Sequence, residues 1–309
     1  MTGVVFLENN LNRLLSEQLK FAKILIDEPM KNHTSFKIGG PVDVMVIPTC
    51  EEELVEAINI CKKNDIDYYV MGNGTNLLVS DKGIRGVVIK NSEGLGNISV
   101  EGNTIKAQAG ALVTVASKIA LKNSLTGLEF ASGIPGSIGG AVTMNAGAYG
   151  GEMKDIVAKV KCLDGNGNIV EYTRDEMNFR YRGSRIEDEN LIALEVEMEL
   201  RKGNFEKIEK TMRELTEKRN SKQPLHLPSG GSTFKRPEGH FAGKLIDDSG
   251  LRGVRYKDAQ ISDKHCGFIV NLGNARCKDV TTLIQLVQKV VKDNFDVCLE
   301  PEIKIIGEK

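Results

Sequence analysis

The chain has 309 residues, of which 40% are hydrophobic and 27% charged, with a formal net charge of -1. That length can bury two or three cores of ordinary soluble composition, and the charge balance speaks against a general nucleic-acid binder. No apolar run approaches the roughly 20 residues needed to span a bilayer, and the opening MTGVVFLENNLNRLL has early acids and no cleavable apolar core, so no membrane partner and no signal peptide are expected.

Residues 10–26 carry Leu11, Leu14, Leu15, Leu19 and Phe21 or Ala22 at helical spacing, which predicts a helix in an N-terminal segment 1–30. VDVMVI at 42–47 predicts a strand ended by Pro48. Thr49 followed by Glu52 reads as a capping box that opens a helix, with Leu54, Ala57, Ile58 and Cys61 on its apolar face. Strands are predicted at 67–71, 86–90 and 104–109, with a helix at 112–122. This alternation points to an α+β or α/β region. Residues 156–173 read as a hairpin turning at DGNGN, 191–200 as a strand and 204–220 as a charged connecting helix. From about 223 a Pro/Gly-rich loop leads to short strands and an amphipathic helix at 278–295, with Val280, Leu283, Ile284, Val287, Val290 and Val291 on one side. CLEPEIKII predicts a closing strand.

The six cysteines, at 50, 61, 162, 266, 277 and 298, form no CxxC pair, and the four histidines, at 33, 226, 240 and 265, have no HxxxH spacing. Neither a metal site nor a disulfide framework is expected. The informative excess is glycine, 32 residues against roughly 7% in an average protein. They gather at 72–86, 127–151 and 229–253. Gly72-Asn73-Gly74-Thr75-Asn76 directly follows a predicted strand, where two glycines let successive N–H groups turn toward one anion; an ordinary tight turn is the alternative. The stretch 127–150 is almost all small residues and holds no Lys, Arg or Asp. Bare backbone laid against a planar cofactor accounts for that composition; a glycine-rich packing site is the alternative. Gly72-x-Gly74 lacks the third glycine of a dinucleotide fingerprint, which argues against a Rossmann site.

GNGTNLLV and GLEFASGIPGSIGGAVTMNAGAYG, together with NHTSFKIGG at 32–40, Tyr181-Arg182-Gly183-Ser184, GSTFK at 231–235 and LEPEI at 299–303, resemble the UDP-N-acetylenolpyruvoylglucosamine reductase family over residues 30–307. The resemblance implies an α+β fold of the FAD-binding (PCMH) type shared with vanillyl-alcohol oxidases, at 31–205 in subdomains of about 31–92 and 93–205. A connecting helix at 206–222, a small α/β substrate domain at 223–296 and a closing strand at 297–309 would complete it. It implies non-covalent FAD, and the loops 71–80 and 127–151 indeed hold no His or Cys for a covalent link. The cofactor ligands implied are Gly72, Asn73, Gly74, Thr75, Asn76, Ser132, Gly133, Pro135, Gly136, Gly139, Gly140, Ala141, Asn145 and Gly147. The absence of basic residues in both loops further predicts that backbone amides at 71–76 and 133–147 do most of the binding.

The implied reaction reduces an enolpyruvyl ether to a lactyl ether with NADPH as co-substrate. It needs stabilisation of developing negative charge and a placed proton donor. The resemblance assigns Arg182 to the carboxylate, where a guanidinium forks bidentately. It assigns Ser232 to the proton and Glu302 to a hydrogen bond with the intermediate. Tyr181, Lys235 and Arg236 are the implied substrate ligands; Arg236 stands where the family often has Asn. About fifty residues separate Arg182 from Ser232, too few for the tyrosine-bearing loop of one subgroup, so the chain resembles the second. The rival readings are a flavin oxidase of the same fold, using O₂, and a non-catalytic flavin or nucleotide-sugar binding module. A cytoplasmic monomer is expected.

Overall fold

This computed structural model describes residues 11–309, except the side chain of Glu93. The first ten residues of the expected N-terminal segment, with most of the opening read for a signal peptide, lie outside the described residues. The chain divides into two compact units. One comprises the residues up to Ile26, Val44–Asn73 and Gly86–Arg219; the other comprises Asp27–Asp43, Gly74–Arg85 and Asn220–Lys309.

The first unit is built on a five-stranded sheet in the order Ile169–Thr173, Val157–Leu163, Ile192–Glu199, Thr104–Gln108, Ile98–Glu101, all neighbours antiparallel. The predicted hairpin is present, with Leu163 opposite Ile169. Val113–Lys122 and Ile138–Thr143 are helical, and their buried Val113, Ala116, Ile138 and Val142 share a core with Ile105, Val160 and Val196. A second core lies under helix Glu51–Lys63, where Leu54, Ala57, Ile58 and Cys61 are all fully buried, as the spacing predicts. Strands Tyr68–Met71 and Ile84–Lys90 pair in parallel, with Tyr68 opposite Val87 and Met71 opposite Lys90.

Two sequence expectations need correcting here. The helix predicted over 10–26 stops at residue 18, and Lys23–Pro29 is a strand. Phe21, counted on the apolar face, is 77% exposed. The cause is distant in sequence: the amides of Phe21 and Ala22 donate to the Glu53 carboxylate at 2.7 and 2.9 Å, which takes them out of any helical ladder. The capping contact also falls one residue later than expected. Cys50 is the N-cap, and it is Glu53 that accepts from the Thr49 amide at 3.0 Å and the Thr49 hydroxyl at 2.8 Å.

The second unit packs helix Cys277–Phe295 on the antiparallel strands Arg255–Tyr256, Ala259–Ile261 and Ile269–Asn271. Val280, Leu283, Ile284, Val287 and Val291 are buried beside Ala259, Ile261 and Ile269, while Val290 packs at the margin. Phe36, Ile38 and Leu78 join the same core, which explains why 27–43 and 74–85 belong to this unit. Asp81 caps the long helix from outside its own sequence, accepting from the amides of Cys277 at 2.8 Å and Lys278 at 3.1 Å. Of the closing strand predicted at 298–306, only Lys304–Ile306 is regular; it pairs in parallel with Leu77–Val79. Pro301 has no N–H to donate, so Leu299–Glu302 is held irregularly against 233–235.

Candidate active site

Within the first unit, Gly72 and Asn73 lie against the turn 133–137. The Asn73 side-chain amide donates to the Pro135 carbonyl at 2.7 Å. A Cβ on Gly72 would come within 2.1 Å of the Ser137 hydroxyl, so a side chain here would displace that hydroxyl. Ser137 caps the helix Ile138–Thr143, its hydroxyl accepting from the Gly140 amide.

The two glycine loops share an electrostatic asymmetry. The carbonyls of Gly133, Pro135 and Gly136 accept from Arg219, Asn73 and the Val113 amide respectively. Those of Gly74 and Asn76 accept from the amides of Ser35 and Lys304. By contrast, among the described residues no protein acceptor takes the amides of Gly72, Asn73, Gly133, Gly136 or Ser137 in the first unit; within the second unit the same holds of Gly74, Thr75 and Asn76. Several N–H dipoles are left over beside carbonyls that are turned into the protein, and clustered N–H dipoles are the character of an anion nest. An uncommitted amide is costly unless water or a ligand meets it. The residues present therefore fit a cofactor that carries a diphosphate.

The expectation that amides throughout 133–147 serve the cofactor narrows accordingly. The amides of Ile138 and Gly139 donate to Ala111 and Ala109, both at 2.8 Å, and those of Ala141, Asn145 and Ala146 close local turns. Gly139 is glycine because a Cβ would meet that of Ala109 at 2.8 Å, and Gly147 because it would meet Glu152 and Gly151. Close packing thus accounts for part of the glycine-rich stretch. Ala141 is buried. The Asn145 side chain, also buried, donates to Glu152 at 2.9 Å and to the Arg180 carbonyl at 3.1 Å, and accepts from the Lys154 amide at 2.9 Å. Its amide being engaged too, its side chain and N–H both serve the fold. Ser132 and Gly140 flank these segments; Gly140 is exposed.

Arg182 sits in a tight turn closed by mutual bonds between the backbones of Arg180 and Gly183. Its φ is 55°, a left-handed conformation that costs a non-glycine residue about 1–2 kcal/mol. Its guanidinium lies 5.2 Å from the Tyr181 ring centroid. The neighbouring arginines are engaged elsewhere: Arg180 forks onto Asp188, and Arg185 pairs with Glu189 over the Tyr172 ring. Burial pushes the Glu152 carboxyl up, but Lys154, Asn145 and Arg182 outweigh that and hold it below its ordinary value.

Within the second unit, Glu302 donates its backbone amide to the Thr233 carbonyl at 2.8 Å, and Lys235 donates its own to Glu300 at 2.8 Å. Thr233 is fully buried and accepts from the Ile269 amide. Ser232, exposed and preceded by Gly231 at φ 81°, is thereby fixed beside the segment that carries Glu302. The Asn76 side chain donates to the Glu302 carbonyl at 3.0 Å, so Asn76 meets the same segment. Lys235 pairs with Glu300 at 3.2 Å, and the Arg236 guanidinium stacks 4.0 Å over the Phe241 ring. Sequence reasoning missed the structural roles of Arg219, Asp81 and Glu53. Arg219 is one cation in a charged helix, and nothing in its spacing sets it apart.

Residues 223–306 match the family model for the UDP-N-acetylenolpyruvoylglucosamine reductase C-terminal domain, and residues 42–173 match the FAD binding domain. The UDP-N-acetylenolpyruvoylglucosamine reductase of Alkaliphilus oremlandii is 55% identical over 286 residues, 93% of this chain and 94% of that one. The protein of the same description from Caldanaerobacter subterraneus subsp. tengcongensis is 54% identical over 295 residues, 96% of this chain and 97% of that one. Among solved structures, the crystal structure of UDP-N-acetylenolpyruvylglucosamine reductase from Thermus caldophilus aligns with a TM-score of 0.78 at 34% identity, covering 92% of this chain and 98% of that one.

Proposed function

The chain belongs to the UDP-N-acetylenolpyruvoylglucosamine reductase family, and we propose from that premise that it reduces UDP-N-acetylglucosamine enolpyruvate to UDP-N-acetylmuramate, with NADPH, for peptidoglycan precursors. The fold is of the α+β FAD-binding type and the cofactor is FAD. When bound, FAD would supply the hydride chemistry that couples NADPH to reduction of the enolpyruvyl group.

The chain's own residues supply the rest. The amides of Gly72–Asn76, Gly133, Gly136 and Ser137 receive the cofactor's diphosphate. Ser132, Pro135, Gly139, Gly140, Ala141, Asn145 and Gly147 shape the surface around them. Arg182 forks onto the substrate carboxylate and stabilises the charge that develops there. Ser232 gives the proton to the carbon next to the one that receives hydride. A hydroxyl is a poor acid in water, but a carbanion-like centre is base enough to take its proton. Glu302 hydrogen-bonds the same intermediate through a carboxyl. Tyr181, Lys235 and Arg236 contact the substrate, the two cations at its diphosphate.

What supports this reading is the bond from the Glu302 amide to the Thr233 carbonyl, which keeps the backbone segments bearing Glu302 and Ser232 next to each other. In domain terms we take 31–205, preceded by the segment 1–30, to hold FAD. The helix 206–222 connects it to a substrate-binding region at 223–296, and 297–309 closes the chain. We also take the enzyme to be a cytoplasmic monomer. Among the described residues no helix is long and apolar enough to cross a membrane.

Anaerobic NADPH separates this reading from an oxidase: the visible flavin bands should bleach within seconds and recover when the enolpyruvyl substrate is added. Bands that persist under NADPH but bleach with another donor would favour the oxidase. The placement of the cofactor has its own check. Gly74 has φ 64°, a conformation that valine resists, so Gly74→Val should purify colourless; full flavin occupancy would refute the placement.

A further inference from the structure

We propose that Arg219 is a positioning residue of the cofactor loop, holding the Gly133 carbonyl inward so that the N–H groups of Gly133, Gly136 and Ser137, and not that carbonyl, face the diphosphate of FAD. The proposal rests on the cofactor reading above and adds to it a residue that neither the family models nor the resemblance assigns.

Three observations point the same way. The stretch 127–150 holds no basic residue of its own, so any cation serving it must come from elsewhere. Helix Phe205–Lys222 is a charged, solvated helix whose buried residue is Ile208, yet near its end Arg219 turns into the glycine loop. Its Nη1 donates to the Gly133 carbonyl at 2.5 Å. Secondly, a Cβ on Gly133 would lie 2.9 Å from Arg219 Cδ and Nε, so glycine at 133 makes room for this side chain. Thirdly, Tyr149, at the far end of the stretch and on a backbone with φ 53°, lies near enough to the same guanidinium to favour its charged form. One planar group with five donors thus ties one end of a segment that glycine leaves slack and lies near its other end.

The effect on the anion is electrostatic. A carbonyl oxygen facing a diphosphate repels it, and a carbonyl turned away onto a cation does not. Asn73 and the Val113 amide perform the same service for Pro135 and Gly136, but Arg219 alone among these three donors brings charge. Burial draws its pKa down while Tyr149 works against that; arginine remains a cation throughout the physiological range. Its field therefore adds to the attraction for phosphate.

The test uses the full-length chain stripped of flavin, with FAD titrated back and binding read from quenching of flavin fluorescence. Apo melting temperatures are measured alongside. Arg219→Met should raise the Kd for FAD about tenfold or more, the worth of a lost charged hydrogen bond. Arg219→Lys, which keeps charge and one donor, should recover part of that loss, and both apo proteins should melt near the parent. A Kd for Arg219→Met within twofold of the parent overturns the proposal. So does a lysine variant as weak as the methionine one when both apo proteins melt well below the parent, because Arg219 is then only a prop. Should Arg219→Met not fold, Gly133→Ala carries the test: its Cβ would crowd the Arg219 side chain and should raise the Kd a few-fold, and an unchanged Kd would overturn the proposal. A parent chain that takes up no FAD would sink the cofactor reading itself, an outcome distinct from any of these.

Discussion

The side chain of Asn76 donates to the backbone carbonyl of Glu302 at 3.0 Å, while the Asn76 carbonyl accepts from the Lys304 amide at 2.9 Å. A single residue of the amide-bearing loop therefore fixes the backbone register of the segment that presents the Glu302 carboxyl. Asn76→Ala leaves that carbonyl without its donor, at a cost of about 1 kcal/mol in stability. It should lower kcat roughly tenfold, the equivalent of 1.4 kcal/mol, and change the substrate KM much less. Asn76→Asp should be worse, since a carboxylate would face a carbonyl oxygen. Steady-state kinetics of both variants at wild-type kcat would remove Asn76 from the positioning of Glu302.

Arg182 holds its left-handed conformation at φ 55° without the freedom of glycine. Arg182→Ala keeps the strain and loses the cation–π contact with Tyr181; Arg182→Gly loses the contact and relieves the strain. The glycine variant should be the more stable of the two by roughly 1 kcal/mol in denaturant unfolding, and both should be nearly inactive. An alanine variant of equal or greater stability would mean that the turn relaxes when the guanidinium is removed.

Glu53 is nearly buried and accepts four bonds, from the Phe21, Ala22 and Thr49 amides and the Thr49 hydroxyl. Burial alone would raise its pKa, but these bonds outweigh it and hold the carboxyl below its ordinary value. A carboxyl depressed by folding stabilises the protein above the unfolded pKa, and the contribution disappears as pH falls through the folded value. Glu53→Gln should therefore lose roughly 1–3 kcal/mol near neutral pH, and the gap from the parent should close below about pH 4. Melting temperatures across pH 3–7 check this. A gap that stays constant over the whole range would show that packing, and not charge, is what Glu53 provides.

Much of the fold could be read from periodicity because the apolar spacing is strict. Leu54, Ala57, Ile58 and Cys61 are buried as one face, and so are Val280, Leu283, Ile284 and Val287. The readings that failed depended on partners distant in sequence. Phe21 and Ala22 continue a helical apolar pattern, but a carboxylate at position 53 claims their amides. The glycine loops were legible as bare backbone near a ligand. Which glycines serve the ligand and which serve packing was not, because that depends on neighbours such as Ala109 against Gly139 and Ser137 against Gly72. Arg219 gave no signal, since a helical arginine that turns inward has the same sequence context as one that faces water.

The central claim is the division of labour between two half-reactions, and Ser232→Ala tests it most directly. Only the second half-reaction needs a proton donor at carbon. Anaerobic stopped flow at the flavin absorbance follows each half-reaction in turn, NADPH being mixed with oxidised enzyme and the enolpyruvyl substrate with reduced enzyme. The account predicts that bleaching by NADPH keeps nearly its wild-type rate in Ser232→Ala. Turnover should fall by roughly 10²–10⁴, the usual worth of a positioned general acid, or about 3–5 kcal/mol. Ser232→Cys, which keeps a donor, should lose far less. Turnover of Ser232→Ala at the wild-type rate, or a collapse of the NADPH half-reaction itself, would contradict the account.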